Sequence, residues 1–131
     1  MILFLRAHFL VVIASMLAVT SWASLHTPLF SIPRQVFTHP WFIATLFDAY
    51  WAFIAFYVWV AWKERSLPAR ILWFMTIILL GNISIAAYML RELFSVPATG
   101  PLDEVFTRRN RGAVLLPTVL TAASAAVYLV A

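Results

Sequence analysis

A chain of 131 residues that is 64% hydrophobic and only 11% charged is too apolar for a soluble domain, in which roughly 45–50% of residues are apolar. The 9 Lys and Arg against 5 Asp and Glu give a net charge of +4, but they sit at the edges of apolar runs, where they suit topology and lipid headgroups and argue against a nucleic-acid partner. There is no cysteine, so disulfides, thiolate chemistry and Cys-based metal sites are excluded.

The first apolar run, residues 2–23, ends near the triplet Ser21-Trp22-Ala23 and shares features with a secretory signal peptide. Arg6 follows apolar residues instead of leading them, and Trp22 beside a cleavage site is unfavourable. The run is therefore expected to be a retained first span, with Arg6 and His8 snorkelling at its edge. In residues 24–40, Pro28, Pro33 and Pro40 prevent a continuous helix. Leu29, Phe30, Ile32, Val36 and Phe37 make the stretch too apolar for a free loop, so it is expected to lie in the membrane interface.

Residues 41–62, WFIATLFDAYWAFIAFYVWVAW, are the centre of the chain. As a helix they rise about 33 Å, enough to cross the hydrocarbon core of a bilayer. Trp41 and Trp62 suit the two headgroup interfaces. Asp48 is the one carboxylate inside, where a charge is unfavourable by about 2.5–3.5 kcal/mol. A polar turn follows, with Lys63, Glu64, Arg65 and Arg70; Ser66 reads as an N-cap and Pro68 as a first-turn proline. Glu64 and Arg70 are expected to meet across this turn, or to bind headgroups, and to be exposed. The third span is placed over residues 69–91, with Thr76, Gly81, Asn82 and Ser84 in its interior. Residues 91–111 are the most polar stretch, broken by Pro97, Gly100 and Pro101, with a short surface helix expected over 103–108. Residues 113–131 form a last apolar run with Pro117 inside, read as a fourth span.

The expected fold class is all-α: one integral membrane domain of three to four transmembrane helices, multi-pass, in a bacterial inner (cytoplasmic) membrane. With four spans, Arg6, Lys63, Arg65 and Arg70 fall on one side. Arg34, Arg91, Arg108, Arg109 and Arg111 fall on the other, so the overall count does not fix the orientation; over the first spans Arg6 and the basic turn outweigh Arg34, which favours a cytoplasmic N-terminus.

Aligning antiparallel neighbours from their shared turn puts Asp48 level with residue 83, beside Asn82 and Ser84. Ala44, Asp48, Ala52 and Ala55 form a small-residue stripe that lets helices approach closely. Asp48 is therefore expected inside the bundle, hydrogen-bonded to Asn82, either as a structural contact or, in an enzyme, as a catalytic pair with Asp48 as general acid. Trp51 and Trp59 border the stripe and are candidates for lining a site for a lipid, carotenoid or other pigment. His8 and His39 are candidate pigment or haem ligands, although both lie near a membrane edge and neither pairs with another His. No nucleophile triad, phosphate loop or HExxH metal motif is present, and no metal is expected.

Several segments carry a resemblance. They are residues 16–24 (MLAVTSWAS), Pro40-Trp41 through Phe47-Asp48-Ala49-Tyr50, Phe56 through Val60 to Lys63-Glu64, Ala69 through Phe74, and Leu80-Gly81-Asn82-Ile83. From about Met16 to Arg109 the chain resembles a family of small membrane proteins of bacteria and plants, catalogued as a domain of unknown function (number fourteen seventy-five). The resemblance implies no activity; it implies that Asp48, Glu64, Arg70 and Asn82 are recurrent polar positions. A more distant likeness, of architecture alone, is to heterodimeric lycopene cyclases and fungal membrane terpene cyclases. Two function classes follow: an accessory subunit of a larger membrane complex, such as a pigment–protein or respiratory assembly, and an enzyme or binder acting on an isoprenoid or other lipid. One intramembrane acid, where an enzyme is expected to use two, favours the subunit. Membrane lipids and other membrane subunits are the expected partners.

Overall fold

The structure, a computed structural model, describes residues 1–130. Among them there are helices and no strands. Helix α1 covers Ile2–His26, and a 3-10 turn, Leu29–Ser31, and a single helical turn, α2 (Arg34–Phe37), lead to α3 (Pro40–Lys63). Then come α4 (Leu67–Leu80), α5 (Asn82–Phe94), α6 (Leu102–Thr107) and α7 (Leu115–Val130). The prolines act as expected. Pro40 and Pro68 sit in first helical turns, and the Ser66 side chain accepts from the Ala69 amide at 3.3 Å to cap α4.

Two helices, α1 with 25 residues and α3 with 24, are long and apolar enough to cross a membrane. Only 6% of each apolar window is buried. The core helix of a soluble protein would be mostly buried, so composition and exposure together set these two apart from one.

The expected single helix over residues 69–91 is two helices. Gly81, at φ 54° and ψ −122°, ends α4 and begins α5. A left-handed φ of this kind is open to glycine and strained for other residues. The two helices then run antiparallel. Thr76 and Ser84 share a 2.7 Å hydroxyl bond, and the rings of Trp73 and Tyr88 meet edge-to-face at 4.7 Å. In a continuous helix those rings would be about 22 Å apart. The turn packs against the middle of α3: a Cβ on Gly81 would lie 2.7 Å from the Phe53 ring.

This hairpin sets the architecture. The C-termini of α3 and α5, the N-termini of α1, α4 and α7, and all of α6 gather at one end, called here the near end. Arg6 of α1 donates to the carbonyls of Leu93 and Val96, so α1 runs antiparallel to α5. α7 runs beside α4, and Tyr128 donates to the Leu79 carbonyl at 2.7 Å. The apolar core, Val60, Ala69, Trp73, Ile77 and Tyr88, lies where α3, α4 and α5 converge, with Leu116 and Leu120 of α7 against it. Beyond the hairpin α1 and α3 continue alone: every residue from Leu17 to Pro28 and from Ile43 to Asp48 is exposed. α7 is shorter than the run expected over 113–131, and Ala131 lies outside the described residues.

Candidate functional site

The depth alignment holds for α3 against α4. Tyr57 donates to the Arg70 carbonyl at 3.0 Å and Tyr50 to the Ile78 carbonyl at 3.3 Å. It fails one turn later, because Gly81 reverses the chain before it reaches the level of Asp48. Asp48 and Asn82 are both exposed, and among the described residues neither side chain makes a hydrogen bond or ion pair. The expected Asp48–Asn82 contact inside a bundle is therefore not formed. Ala44, Ala52 and Ala55 are exposed on α3 with Asp48, so the small-residue stripe faces outward.

The other candidates are dispersed. Trp51 is 65% exposed and lines a shallow outward depression with Leu46, Phe47, Tyr50 and Ile54. Trp59 lies elsewhere: it packs on the core and donates from Nε1 to the Phe106 carbonyl at 3.1 Å. His8 is exposed on α1, and His39 is exposed at the N-cap of α3, at the opposite end. No group of three His, Cys, Asp or Glu side chains converges among the described residues.

The polar groups that do converge lie at the near end. Apolar α3 ends in Lys63-Glu64 and apolar α5 ends in Arg91-Glu92, and the hairpin brings these dipeptides together. Lys63 Nζ lies 2.7 Å from Glu92 Oε2, both side chains wholly buried, and donates to the Val105 carbonyl at 2.5 Å. Glu64, also wholly buried, accepts at Oε1 from Tyr88 at 2.9 Å, from Arg91 Nη2 at 3.2 Å and from Asn110 Nδ2 at 2.8 Å. Asn110 Nδ2 also donates to Glu92 Oε1 at 2.7 Å. Its two amide protons thus tie together two carboxylates that would otherwise repel. Arg108 Nη2 stands 3.6 Å from Glu92 Oε2 and bonds Ser95. Arg91 also lies over the rings of Trp73 and Tyr88, at 5.7 Å and 5.4 Å. Glu64 Oε2, Arg91 Nη1 and Trp73 Nε1 are buried without a hydrogen-bond partner.

The backbone holds Asn110 in place. Its N–H donates to the Lys63 carbonyl at 2.8 Å and its own carbonyl accepts from Arg65 at 3.2 Å. Gly112 follows at φ 97°, where a Cβ would sit 2.5 Å from that of Ser66. The expected Glu64–Arg70 pair takes another form: Arg70 Nε donates to the Glu64 backbone carbonyl at 2.8 Å, while the carboxylate turns inward. The pair is not exposed, because burial of Glu64 needs the charges of α5.

Burying two ion pairs gives little net stability, since desolvation offsets their attraction, but removing one partner is destabilising by about 3–5 kcal/mol. The cluster therefore locks the near-end segments into one arrangement. Its members are far apart in the chain, so the cluster is absent from the expectations above. The available signal was two dipeptides of matched charge, Lys63-Glu64 and Arg91-Glu92, each closing an apolar run.

The site and fold define a small all-helical protein with two membrane-length helices and a helical hairpin clamped to the end of one of them, α3, by buried ion pairs. Residues 1–112 match the family described as Protein of unknown function (DUF1475), and the chain belongs to that family. Neither the comparison with curated proteins nor that with solved structures gives a match.

Proposed function

We propose that the chain is a multi-pass integral membrane protein of a bacterial cytoplasmic membrane, serving as a non-catalytic subunit that docks another membrane protein through the outer face of α3. The carrying observation is Asp48: a carboxylate about 12 Å along a membrane-length helix, facing away from the fold with no partner in the described chain. Lipid offers it no donor, and such groups lie against protein or a water-filled cavity. The exposed Ala44, Ala52 and Ala55 on the same helix suit close approach by a partner helix with a hydrogen-bond donor at that depth. Here α1 and α3 span the bilayer, and the α4–α5 hairpin enters and leaves on the near side. That counts two full spans; α7 enters beside the hairpin, and a third or fourth crossing is not needed.

The hairpin also bears on orientation. Arg6, Lys63, Arg65, Arg70, Arg91, Arg108, Arg109 and Arg111 gather at the near end, and Arg34 alone lies at the far end, so the split is eight to one of the 9 Lys and Arg. By the positive-inside rule the near end faces the cytoplasm. The enzyme reading has no comparable support, because Asp48 and Asn82 face outward separately.

The test is photo-crosslinking in native membranes from positions 44 and 52, with position 71 on the exposed side of α4 as control. One discrete protein adduct from 44 and 52, kept in Asp48→Asn and lost in Asp48→Leu, is expected. Lipid adducts alone from both positions would sink the docking reading.

A further inference from the structure

Three polar atoms of the near-end cluster, Glu64 Oε2, Arg91 Nη1 and Trp73 Nε1, are buried with no hydrogen-bond partner among the described residues. They belong to side chains already in contact. Glu64 Oε1 and Arg91 Nη2 are 3.2 Å apart, and the Arg91 guanidinium lies over the Trp73 ring at 5.7 Å. Oε2 shares its carboxyl carbon with Oε1, and Nη1 shares its guanidinium carbon with Nη2. The two unpaired atoms therefore flank the existing Glu64–Arg91 bond.

The surrounding contacts keep these atoms from satisfying each other. Arg91 turns its Nε/Nη2 edge to the two glutamates, with Nε 3.7 Å from Glu92 Oε1. Asn110 Nδ2 ties the same two Oε1 atoms, at 2.8 Å and 2.7 Å. A direct two-bond fork to Glu64 through Nη1 and Nη2 would carry Nε away from Glu92. Trp73 is fixed by packing: it is wholly buried and meets Tyr88 edge-to-face at 4.7 Å.

The unmet groups select the ligand. Arg91 Nη1 and Trp73 Nε1 are donors and need an acceptor, whereas an ionised Glu64 accepts only and needs a donor at Oε2. A cation would meet the Arg91 charge and offers no lone pair to the two donors. An anion would meet the Glu64 charge and lacks the proton that Oε2 needs. An apolar group would leave all three unmet. Glu64 and Trp73 have no exposed surface, so the ligand has to be small. Water both donates and accepts, and a buried water typically makes about three hydrogen bonds to groups that would otherwise go unsatisfied.

We infer that one buried water bridges Glu64, Arg91 and Trp73, accepting from Arg91 Nη1 and Trp73 Nε1 and donating to Glu64 Oε2. The Glu64–Arg91 pair then closes into a ring with one direct bond and one bond through water, and both Glu64 oxygens accept donors. The water also ties α4, through Trp73, to the carboxylate and guanidinium that hold the ends of α3 and α5 together. The inference depends on neither the membrane placement of α1 and α3 nor docking through Asp48.

Two measurements on the unmodified full chain test it, so no variant has to fold. In a crystal structure at a resolution that shows ordered water, one peak is expected at about 2.7–3.2 Å from each of Glu64 Oε2, Arg91 Nη1 and Trp73 Nε1. In solid-state NMR of the isotope-labelled protein in lipid bilayers, magnetisation from water should reach the Trp73 indole proton at mixing times too short for it to reach the amide of wholly buried Ile77. A peak that touches fewer than three of the atoms would overturn the site, as would no peak with the three side chains placed as here. A direct Arg91–Glu64 fork, or a lipid or protein group at these atoms, would overturn it too. So would an indole proton that receives water magnetisation no earlier than the Ile77 amide.

Discussion

Asn110→Leu isolates the bridge between the two buried carboxylates. The substitution keeps the volume close and leaves the backbone bonds from Asn110 to Lys63 and from Arg65 to Asn110 intact. It removes donors at 2.8 Å and 2.7 Å from Glu64 and Glu92. Hydrogen bonds to charged groups contribute about 1.5–3 kcal/mol each, so two give about 3–6 kcal/mol. Glu92 keeps Lys63, and Glu64 keeps Tyr88 and Arg91, which favours the lower end, about 3 kcal/mol. Reversible unfolding in mixed micelles, followed by tryptophan fluorescence, measures the loss, because Trp73 lies wholly buried against Tyr88. A double-mutant cycle with Glu92→Met should give a coupling of about 1–3 kcal/mol. A loss below about 0.5 kcal/mol would refute the view that the amide holds the carboxylates together.

Gly81→Ala should destabilise the hairpin by about 1–3 kcal/mol, because φ is 54° and the new Cβ meets the Phe53 ring at 2.7 Å; the same unfolding assay reads it, and an unchanged midpoint would contradict the tight reversal. Ser66→Ala removes the cap of α4 and the bond to the Gly112 carbonyl at 3.3 Å, a loss of about 1–2 kcal/mol. Cysteines introduced at Ser66 and Ala98 should react with an impermeant reagent from the same side of sealed vesicles, and one at Ser31 from the other. Labelling of residues 66 and 98 from opposite sides would restore a third full span in place of the hairpin.

The all-helical class, α1, α3 and the Ser66 cap were legible because each rests on a local signal: a long apolar run, a proline or a capping hydroxyl. The hairpin was not, because residues 71–90 are long enough and apolar enough to cross a bilayer, and length alone does not reveal a reversal. Gly81-Asn82 in the middle of that run was the signal. Glycine permits the left-handed φ, and a polar residue directly after it suits a break. A continuous span would put Asn82 level with Asp48, but it would also put Lys63-Glu64 and Arg91-Glu92 on opposite sides, where no cluster can form.

The basic residues at the near end have two separable jobs, and the geometry distinguishes them. α3 and α5 both end there, so their unsatisfied carbonyls place partial negative charge at the near end. Lys63 and Arg91 lie in the last turns of those helices, and Arg6 bonds the carbonyls of Leu93 and Val96 directly. These cations are fixed by the fold, and neutralising one disturbs packing as well as charge. Arg65 and Arg111 are exposed, and neither makes a side-chain hydrogen bond or ion pair among the described residues. Replacing both with Gln should leave unfolding within about 0.5 kcal/mol of the parent while weakening the charge asymmetry that, on the proposed membrane placement, orients α1 and α3. A fold that collapses in that double variant would mean the near-end surface is covered by a partner. A fold that survives, with some molecules inserted in reverse, would show that orientation depends on the exposed arginines and that the buried ion pairs only hold the hairpin shut.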